Sequence, residues 1–272
     1  MGFDLAAFDL DGTLLPRDLV ISGRTIEALD ELRERGMRLV VATGRRFEGA
    51  REYAGQLGFF ASDPVICYGG AMVREMGGET LLHDKIPTDV SAEVLEWAAR
   101  RNLHSRIFTD GKIVTSAATP SARTYLRITD DAGGCAVDSP ADWLRESGER
   151  PTKLVLVDHP DDIQDWLEEA RQTFGERLFV TRSLPHYVEV GGITSNKSSA
   201  LEFVCKYWNI EPSRTVAFGD ADNDIDMLRF VGRGVAVGGK NEEVRAAADV
   251  VVPSVDEDGV AGYLEQLMEG SV

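Results

Sequence analysis

Leu5-Ala6-Ala7-Phe8-Asp9-Leu10-Asp11-Gly12-Thr13 begins with an apolar run and ends in two carboxylates, a glycine and a threonine. An apolar run this short, closed by a turn signal, suits a strand covered on both faces better than a helix. The spacing predicts a strand over Leu5 to Leu10 that delivers polar groups just past its carboxyl end. Outward from it the chain alternates. Ser22 caps a predicted helix with Ile26, Leu29 and Leu32 on one face and Gly36 at its end. Arg38 to Ala42 is a second strand broken by Thr43-Gly44, Arg46 to Leu57 a helix, and Pro64 to Tyr68 a third strand closed by Gly69-Gly70. The alternation returns late in the chain. Helices over Ser198 to Trp208, Asp222 to Val231, Asn241 to Ala248 and Val260 to Met268 alternate with strands over Thr215 to Phe218, Gly234 to Val237 and Val250 to Val252. Strand–helix alternation implies a doubly wound parallel sheet with helices on both faces.

The middle of the chain reads differently. Thr88 to Arg101 is an amphipathic pattern with Val90, Val94, Leu95 and Ala98 inward, and Arg106 to Phe108 and Lys112 to Thr115 flank the hairpin signal Asp110-Gly111. Residues 117–150 have no single reading. Lys153 to Val157 is a strand, Asp161 to Phe174 a helix behind Pro160, and Leu178 to Thr181 and Tyr187 to Val190 two more strands. The expected fold class is therefore α/β: a core of residues 1–81 and 188–272, interrupted by an α+β insert of residues 82–187. That insert is longer than any connection needs. It is expected to be a folded cap, crossing to the core near residues 81–87 and 185–190, where Pro87 and Pro185 would stiffen the linkers. His186 and Tyr187 beside the return crossing are candidates for substrate contact.

Composition narrows the function. The 272 residues are 43% hydrophobic and 28% charged, enough to bury a core without staples, and no apolar run reaches membrane-spanning length. The net charge of −17 argues against nucleic acid or an anionic membrane as partner. A small anionic substrate then needs a locally positive pocket or a metal. Cys67, Cys135 and Cys205 are far apart and lack CxxC spacing, which disfavours a disulfide framework or structural zinc. Met1-Gly2-Phe3-Asp4 shows no basic segment leading into an apolar stretch, so a cytoplasmic location is expected. No obligate protein partner is evident.

Ligands bind beyond the carboxyl ends of the strands in an open parallel sheet. The residues there are Asp9, Asp11, Gly12 and Thr13; Thr43, Gly44 and Arg45; Lys197 ahead of a late helix; and Gly219, Asp220, Asp222, Asn223 and Asp224. Carboxylates gathered at one edge repel, and a divalent cation relieves them. An all-oxygen set with one lysine suits magnesium and a phosphate, not zinc. Singly, each residue has an ordinary reading: Asp-x-Asp-Gly as a solvated turn, Thr43 as a helix cap, Lys197 as a surface lysine, Asp222 and Asp226 as helix decoration. His83, His104, His159 and His186 show no metal spacing, and Trp97, Trp143, Trp166 and Trp208 sit on helical stripes as packing residues.

Together, Asp9-Leu10-Asp11-Gly12-Thr13, Ala42-Thr43-Gly44-Arg45, Asn196-Lys197 and Gly219-Asp220-Ala221-Asp222-Asn223-Asp224 resemble the four ordered motifs of the haloacid dehalogenase (HAD) superfamily. Glu189-Val190, Asp222 through Leu228 and Asp256-Glu257-Asp258-Gly259-Val260 narrow the resemblance to the Cof-type sugar-phosphatase-like subfamily. The resemblance implies a magnesium-dependent phosphatase of small phosphorylated metabolites, sugar phosphates foremost, with an HAD/Rossmann-like core and a cap that sets specificity. Asp9 would be the nucleophile and form an aspartyl-phosphate, and Asp11 the general acid and base. Gly12 permits the close turn; the Thr43 hydroxyl, the Gly44 N–H and Arg45 belong to the substrate side. Lys197 would neutralise charge on the phosphoryl group and Asp9. Asp9, the Asp11 carbonyl, Asp220 and Asp224 would be the magnesium set, Asp224 either directly or through water, and Asn223 would bond phosphate or Lys197. The pattern departs at Gly69-Gly70-Ala71, where relatives carry Asn-Gly-Ala, at Asn196-Lys197-Ser198 for Ser-Lys-Gly, and at Gly239-Lys240-Asn241, where Lys240 adds a charge near the pocket. A phosphotransferase such as a phosphomutase shares the same intermediate. A non-catalytic phospho-ligand sensor is disfavoured because Asp9, Asp11, Lys197 and Asp220 are all present.

Overall fold

The computed structural model describes residues 2–109, 111–119, 134–239 and 241–271. The chain divides into two compact units, Met1–Leu82 with Asn196–Val272, and His83–Ser195.

The first unit is built on an eight-stranded sheet in the order β14-β13-β12-β1-β2-β3-β4-β5. These are β1 (Leu5–Phe8), β2 (Arg38–Ala42), β3 (Pro64–Cys67), β4 (Met72–Glu75), β5 (Thr80–His83), β12 (Thr215–Gly219), β13 (Arg233–Val237) and β14 (Val250–Val252). From β14 to β3 every neighbouring pair is parallel. The inner strands are almost uninterrupted apolar runs because both faces are covered. Leu5, Ala7, Val40, Ala42, Ile66 and Ala217 pack with Leu201 and Val204 of α6 (Lys197–Trp208) and Met227 and Leu228 of α7 (Ile225–Phe230). Residues of opposite pleat include Phe8 and Phe218, stacked with ring centroids 4.9 Å apart. Phe218 also meets Tyr263 of α9 (Gly259–Glu269) edge-on at 5.7 Å. Ser22 caps α1 (Gly23–Glu34) as expected, its hydroxyl accepting the Thr25 N–H. The remaining helices are α2 (Phe47–Gln56) and α8 (Glu242–Ala247).

Two features of this unit differ from the expectation. The sheet is not parallel throughout, since β4 runs antiparallel to β3 and β5 lies beyond it. Asp222 to Val231 is not one helix either: Asp222–Asp224 forms a 3-10 turn and α7 begins at Ile225.

The second unit holds a six-stranded sheet in the order β10-β11-β9-β6-β7-β8. Its strands are β6 (His104–Thr109), β7 (Lys112–Thr115), β8 (Cys135–Ala136), β9 (Lys153–Val157), β10 (Leu178–Thr181) and β11 (Tyr187–Gly192). The β6–β7 hairpin pairs Thr109 with Lys112; Asp110 lies outside the described residues. Ile107, Leu154, Leu156, Val188 and Val190 face α3 (Thr88–Ala99), α4 (Pro140–Ser147) and α5 (Pro160–Phe174). Trp97 is the hub of that layer, edge-on to Trp166 at 6.3 Å and to Phe174 at 5.9 Å. Of the ambiguous stretch 117–150, residues 120–133 lie outside the described residues.

The return to the first unit falls between Ser195 and Asn196, not at residue 188. β11 is the reason: it pairs with β9 and β10, so its apolar run belongs to the second sheet. Asp84 then ties both ends of this unit, its Oδ2 accepting the Thr194 and Ser195 hydroxyls, each at 2.8 Å. Pro87 and Pro185 are thus inside the unit, Pro87 as the residue capping α3, and neither sits at a crossing.

Candidate active site

Because β12, β1 and β2 are adjacent and parallel, their carboxyl ends share one edge. Asp9 follows β1 and stays in register, its N–H donating to the Phe218 carbonyl at 3.0 Å. Thr43 follows β2, its N–H bonded to Ile66 at 2.9 Å. Asp220 follows β12. Lys197 arrives from another direction as the first residue of α6. Asn196 caps that helix, its Oδ1 accepting the Ser199 N–H at 2.8 Å. Gly70, at φ 111°, lets the loop after β3 pass against the Asn196 carbonyl, where a Cβ would collide. Gly70 and Asn196 are therefore two halves of one close approach beside Lys197, whereas Gly69, the residue that departs from the relatives' Asn, has open space around its Cβ position.

The ammonium of Lys197 is fully buried and donates to Asp9 Oδ1 at 2.5 Å and Asp224 Oδ1 at 2.6 Å. Asp224 Oδ2 accepts the backbone N–H of Asp220 at 3.1 Å and of Ala221 at 3.0 Å, which folds the loop and aims Asp220. Asp220 Oδ1 accepts the Thr13 hydroxyl at 3.0 Å. Gly12, at φ 90°, makes room for this, since a Cβ there would strike the Asp220 carboxylate.

Carboxylate oxygens of Asp9, Asp220 and Asp224 lie within 4.8 Å of one another. Three carboxylates thus lie beside one ammonium, which bonds two of them. Burial raises Asp9 well above the ordinary carboxylate range; Lys197 opposes this, and Asp224, Asp220 and Asp11 add to it. Burial likewise pushes Asp220 up to about 7, with Asp224 adding to the effect. Burial alone would depress Lys197, but Asp224 and Asp9 outweigh it and hold the ammonium charged. The surplus negative charge and all-oxygen donors fit a hard divalent cation.

The other predicted residues divide. Asp11 does not join the carboxylate triad. Half-exposed, it is gripped by Arg45, with Nε to Oδ2 at 2.8 Å and Nη2 to Oδ1 at 2.6 Å. Thr43 is buried and its hydroxyl accepts the Arg45 N–H at 3.2 Å, with Gly44 between them. Asn223 is half-buried in the 3-10 turn; Lys197 donates to Asp9 and Asp224 and not to it. Asp222 accepts from Asn241, the cap of α8, at 2.5 Å, which ties the turn to the next helix. Lys240 lies outside the described residues. Sequence reasoning overlooked Asn196 as a cap and the Arg45–Asp11 pair. An Asn just before an apolar helical stripe was a usable signal for the first; nothing local signals the second.

A strand-end carboxylate, a buried lysine and an acidic triad meet at the carboxyl edge of the parallel strands. The family model for haloacid dehalogenase-like hydrolases matches residues 6–264, and the chain belongs to that family. The 5-amino-6-(5-phospho-D-ribitylamino)uracil phosphatase YitU of Bacillus subtilis is 27% identical over 267 residues, covering 96% of each protein. An HMP-PP phosphatase of Klebsiella pneumoniae is 31% identical over 245 residues, covering 89% of this chain and 86% of that protein. The structure of a haloacid dehalogenase-like hydrolase from B. subtilis superposes with a TM-score of 0.83 at 26% identity, covering 97% of this chain and 100% of the other. The chain is an enzyme of the phosphoric monoester hydrolase class. Among the described residues, no helix is long and apolar enough to cross a membrane.

Proposed function

We propose that this enzyme hydrolyses small phosphorylated metabolites, sugar phosphates foremost, through an aspartyl-phosphate on Asp9 and with magnesium as cofactor. The observation that carries the reading is the Lys197 ammonium bonded to Asp9 within the Asp9–Asp220–Asp224 triad. An Asp9 oxygen attacks phosphorus while the bond to the leaving oxygen breaks, and Asp11 supplies that oxygen with a proton. Asp11, now a base, takes a proton from water; the water oxygen bonds to phosphorus as the Asp9–phosphorus bond breaks, releasing phosphate and restoring both carboxyl groups. Lys197 holds Asp9 in line and offsets phosphoryl charge; Thr43, Gly44 and Asn223 bind phosphoryl oxygens. Asp9, Asp220, Asp224 and the Asp11 carbonyl would hold magnesium, which neutralises charge developing on the transferring group.

The unit His83–Ser195 serves as the specificity cap, with His186 and Tyr187 the first residues to examine. The test is phosphate release across a panel of sugar phosphates, joined by the substrates in the relatives' names, with and without magnesium. Turnover that needs magnesium and disappears in Asp9→Asn supports the reading. Undiminished turnover after chelation, or in pure Asp9→Asn protein, overturns it.

A further inference from the structure

Arg45 invites a simple assignment: a cation after the second strand that binds substrate phosphate. Its surroundings argue otherwise. Both guanidinium prongs are engaged with both oxygens of Asp11, the two-pronged geometry that fixes direction as well as attraction. The guanidinium lies 4.8 Å from the ring centroid of Tyr53, which is buried on α2. The Arg45 backbone is held on both sides, its N–H by Thr43 Oγ1 at 3.2 Å and its carbonyl by the Tyr68 N–H at 2.9 Å. The Asp11 backbone is bridged to Leu15, but among the described residues its carboxylate accepts hydrogen bonds from Arg45 alone. It stands half-exposed on a tight turn, next to Gly12 at φ 90°, and a free carboxylate there would sample several rotamers. Arg45 is the fixed partner and Asp11 the held one.

We propose that Arg45 is a positioning residue that acts through Asp11: it orients the Asp11 carboxyl for proton transfer to the leaving oxygen. This rests on the assignment of Asp11 as general acid above. It makes a demand that phosphate binding would not. An alkyl phosphate expels a poor leaving group and needs the proton; p-nitrophenyl phosphate expels a stable phenolate and does not. Loss of a general acid costs about 100-fold or more where the proton is needed.

The experiment compares kcat/KM, which reports steps up to leaving-group departure, for a sugar phosphate turned over by the wild type and for p-nitrophenyl phosphate. The proteins are wild type, Arg45→Lys, Arg45→Met, Asp11→Asn and the double variant Arg45→Met/Asp11→Asn, each checked for an intact melting transition. Arg45→Met should lose about 100-fold on the sugar phosphate and only a few-fold on the aryl ester, the pattern of a missing general acid. Arg45→Lys keeps the charge but loses the fork, and should show the same pattern. The double variant should be no worse than Asp11→Asn, because residues acting as a unit are not additive. Tyr53→Leu, which leaves both charged groups in place, covers the case in which Arg45 variants fold poorly, and should show a weaker loss with the same leaving-group dependence. Equal losses on both substrates, or full additivity in the double variant, overturn the assignment and return Arg45 to phosphate binding. Wild-type protein without turnover of any phosphoester would instead overturn the phosphatase reading, and the assignment with it. Leaving-group-independent losses in Asp11→Asn would remove Asp11 as the acid.

Discussion

Each unit buries a lysine against carboxylate, and the two arrangements differ. In the second unit Lys153 meets Glu189 at 3.2 Å, and Glu189 also accepts the Ser183 hydroxyl at 2.5 Å. Both side chains come from paired neighbours in the sheet, β9 and β11. In the first unit Lys197 meets Asp9 and Asp224, and Asp220 adds a third carboxylate to the group. The first of these joins one cation to one anion, with Arg106 also buried in the same cross-strand row as Glu189; the second carries surplus negative charge in a desolvated place. A folded chain tolerates a matched buried pair as structure, whereas a surplus that raises its own carboxylates' proton affinity marks a place where a cationic ligand belongs. Burial of charge alone therefore does not identify a site; the imbalance does.

The sharpest way to break that contrast is at Asp9, the proposed nucleophile. Asp9→Asn preserves shape and hydrogen bonding to Lys197, so folding should persist while phosphate release falls by several orders of magnitude. Turnover near the wild-type level would reduce the triad to a structural feature.

Replacing the two lysines tests the contrast directly. Lys197→Met should abolish turnover. Lys153→Met removes the ammonium bonded to buried Glu189 and should destabilise by about 3–5 kcal/mol. Adding Glu189→Leu should recover most of that loss in denaturant unfolding, because apolar residues can replace a matched pair. No such apolar substitute should restore turnover to Lys197→Met. If Lys153→Met/Glu189→Leu stays as unstable as the single variant, the pair is more than a matched structural unit.

Magnesium should raise the melting temperature of the whole protein by mass action, and calcium should do so with little turnover, since its larger and looser coordination misplaces Asp9 and phosphate. Asp220→Asn should blunt the shift. A melting temperature indifferent to magnesium would mean that the surplus charge is resolved without it. Substitutions at His186 and Tyr187 should change the ranking of substrates and leave the magnesium requirement alone; the same panel read at several magnesium concentrations separates the two.

The smallest effect expected is a pH dependence confined to the second unit. Burial, with Arg106 adding to it, lowers His104 below its ordinary 6.5, while its bond to the Ala117 carbonyl opposes this. A base depressed in the folded state is neutral there and takes up a proton more readily once unfolded. Its contribution to stability is thus present above pH 6.5 and is lost as pH falls toward its folded-state value. Melting curves from pH 7.5 downward should show less decline in His104→Asn than in wild type, and parallel curves would refute it.

Several elements were legible because their signals are local. The apolar run Leu5-Ala6-Ala7-Phe8 requires cover on both faces, and a carboxylate placed after it must emerge at the strand's end. Ser22, Gly36 and Gly111 are equally local devices. β4 and β5 were not legible: Met72–Glu75 and Thr80–His83 are four residues each, and Arg74 and Glu75 blunt the apolar pattern, as suits strands near a sheet edge. Tyr187–Gly192 was visible as a strand but not as a member of the second sheet, since an apolar run carries no record of its partner.

By itself, then, the sequence determined the alternating α/β core, the interruption by an α+β insert, and which residues would stand at the carboxyl ends of the strands. Periodicity and turn chemistry act over a few residues, and that suffices for each of these. Tertiary structure alone decided how the residues meet. Lys197 reaches Asp9 across 188 positions of chain only because Gly70 lets a loop pass beneath Asn196. Arg45 grips Asp11 across 34 positions because β1 and β2 are neighbours in the sheet. Strand order and close packing are properties of the whole fold, and no window of sequence contains them.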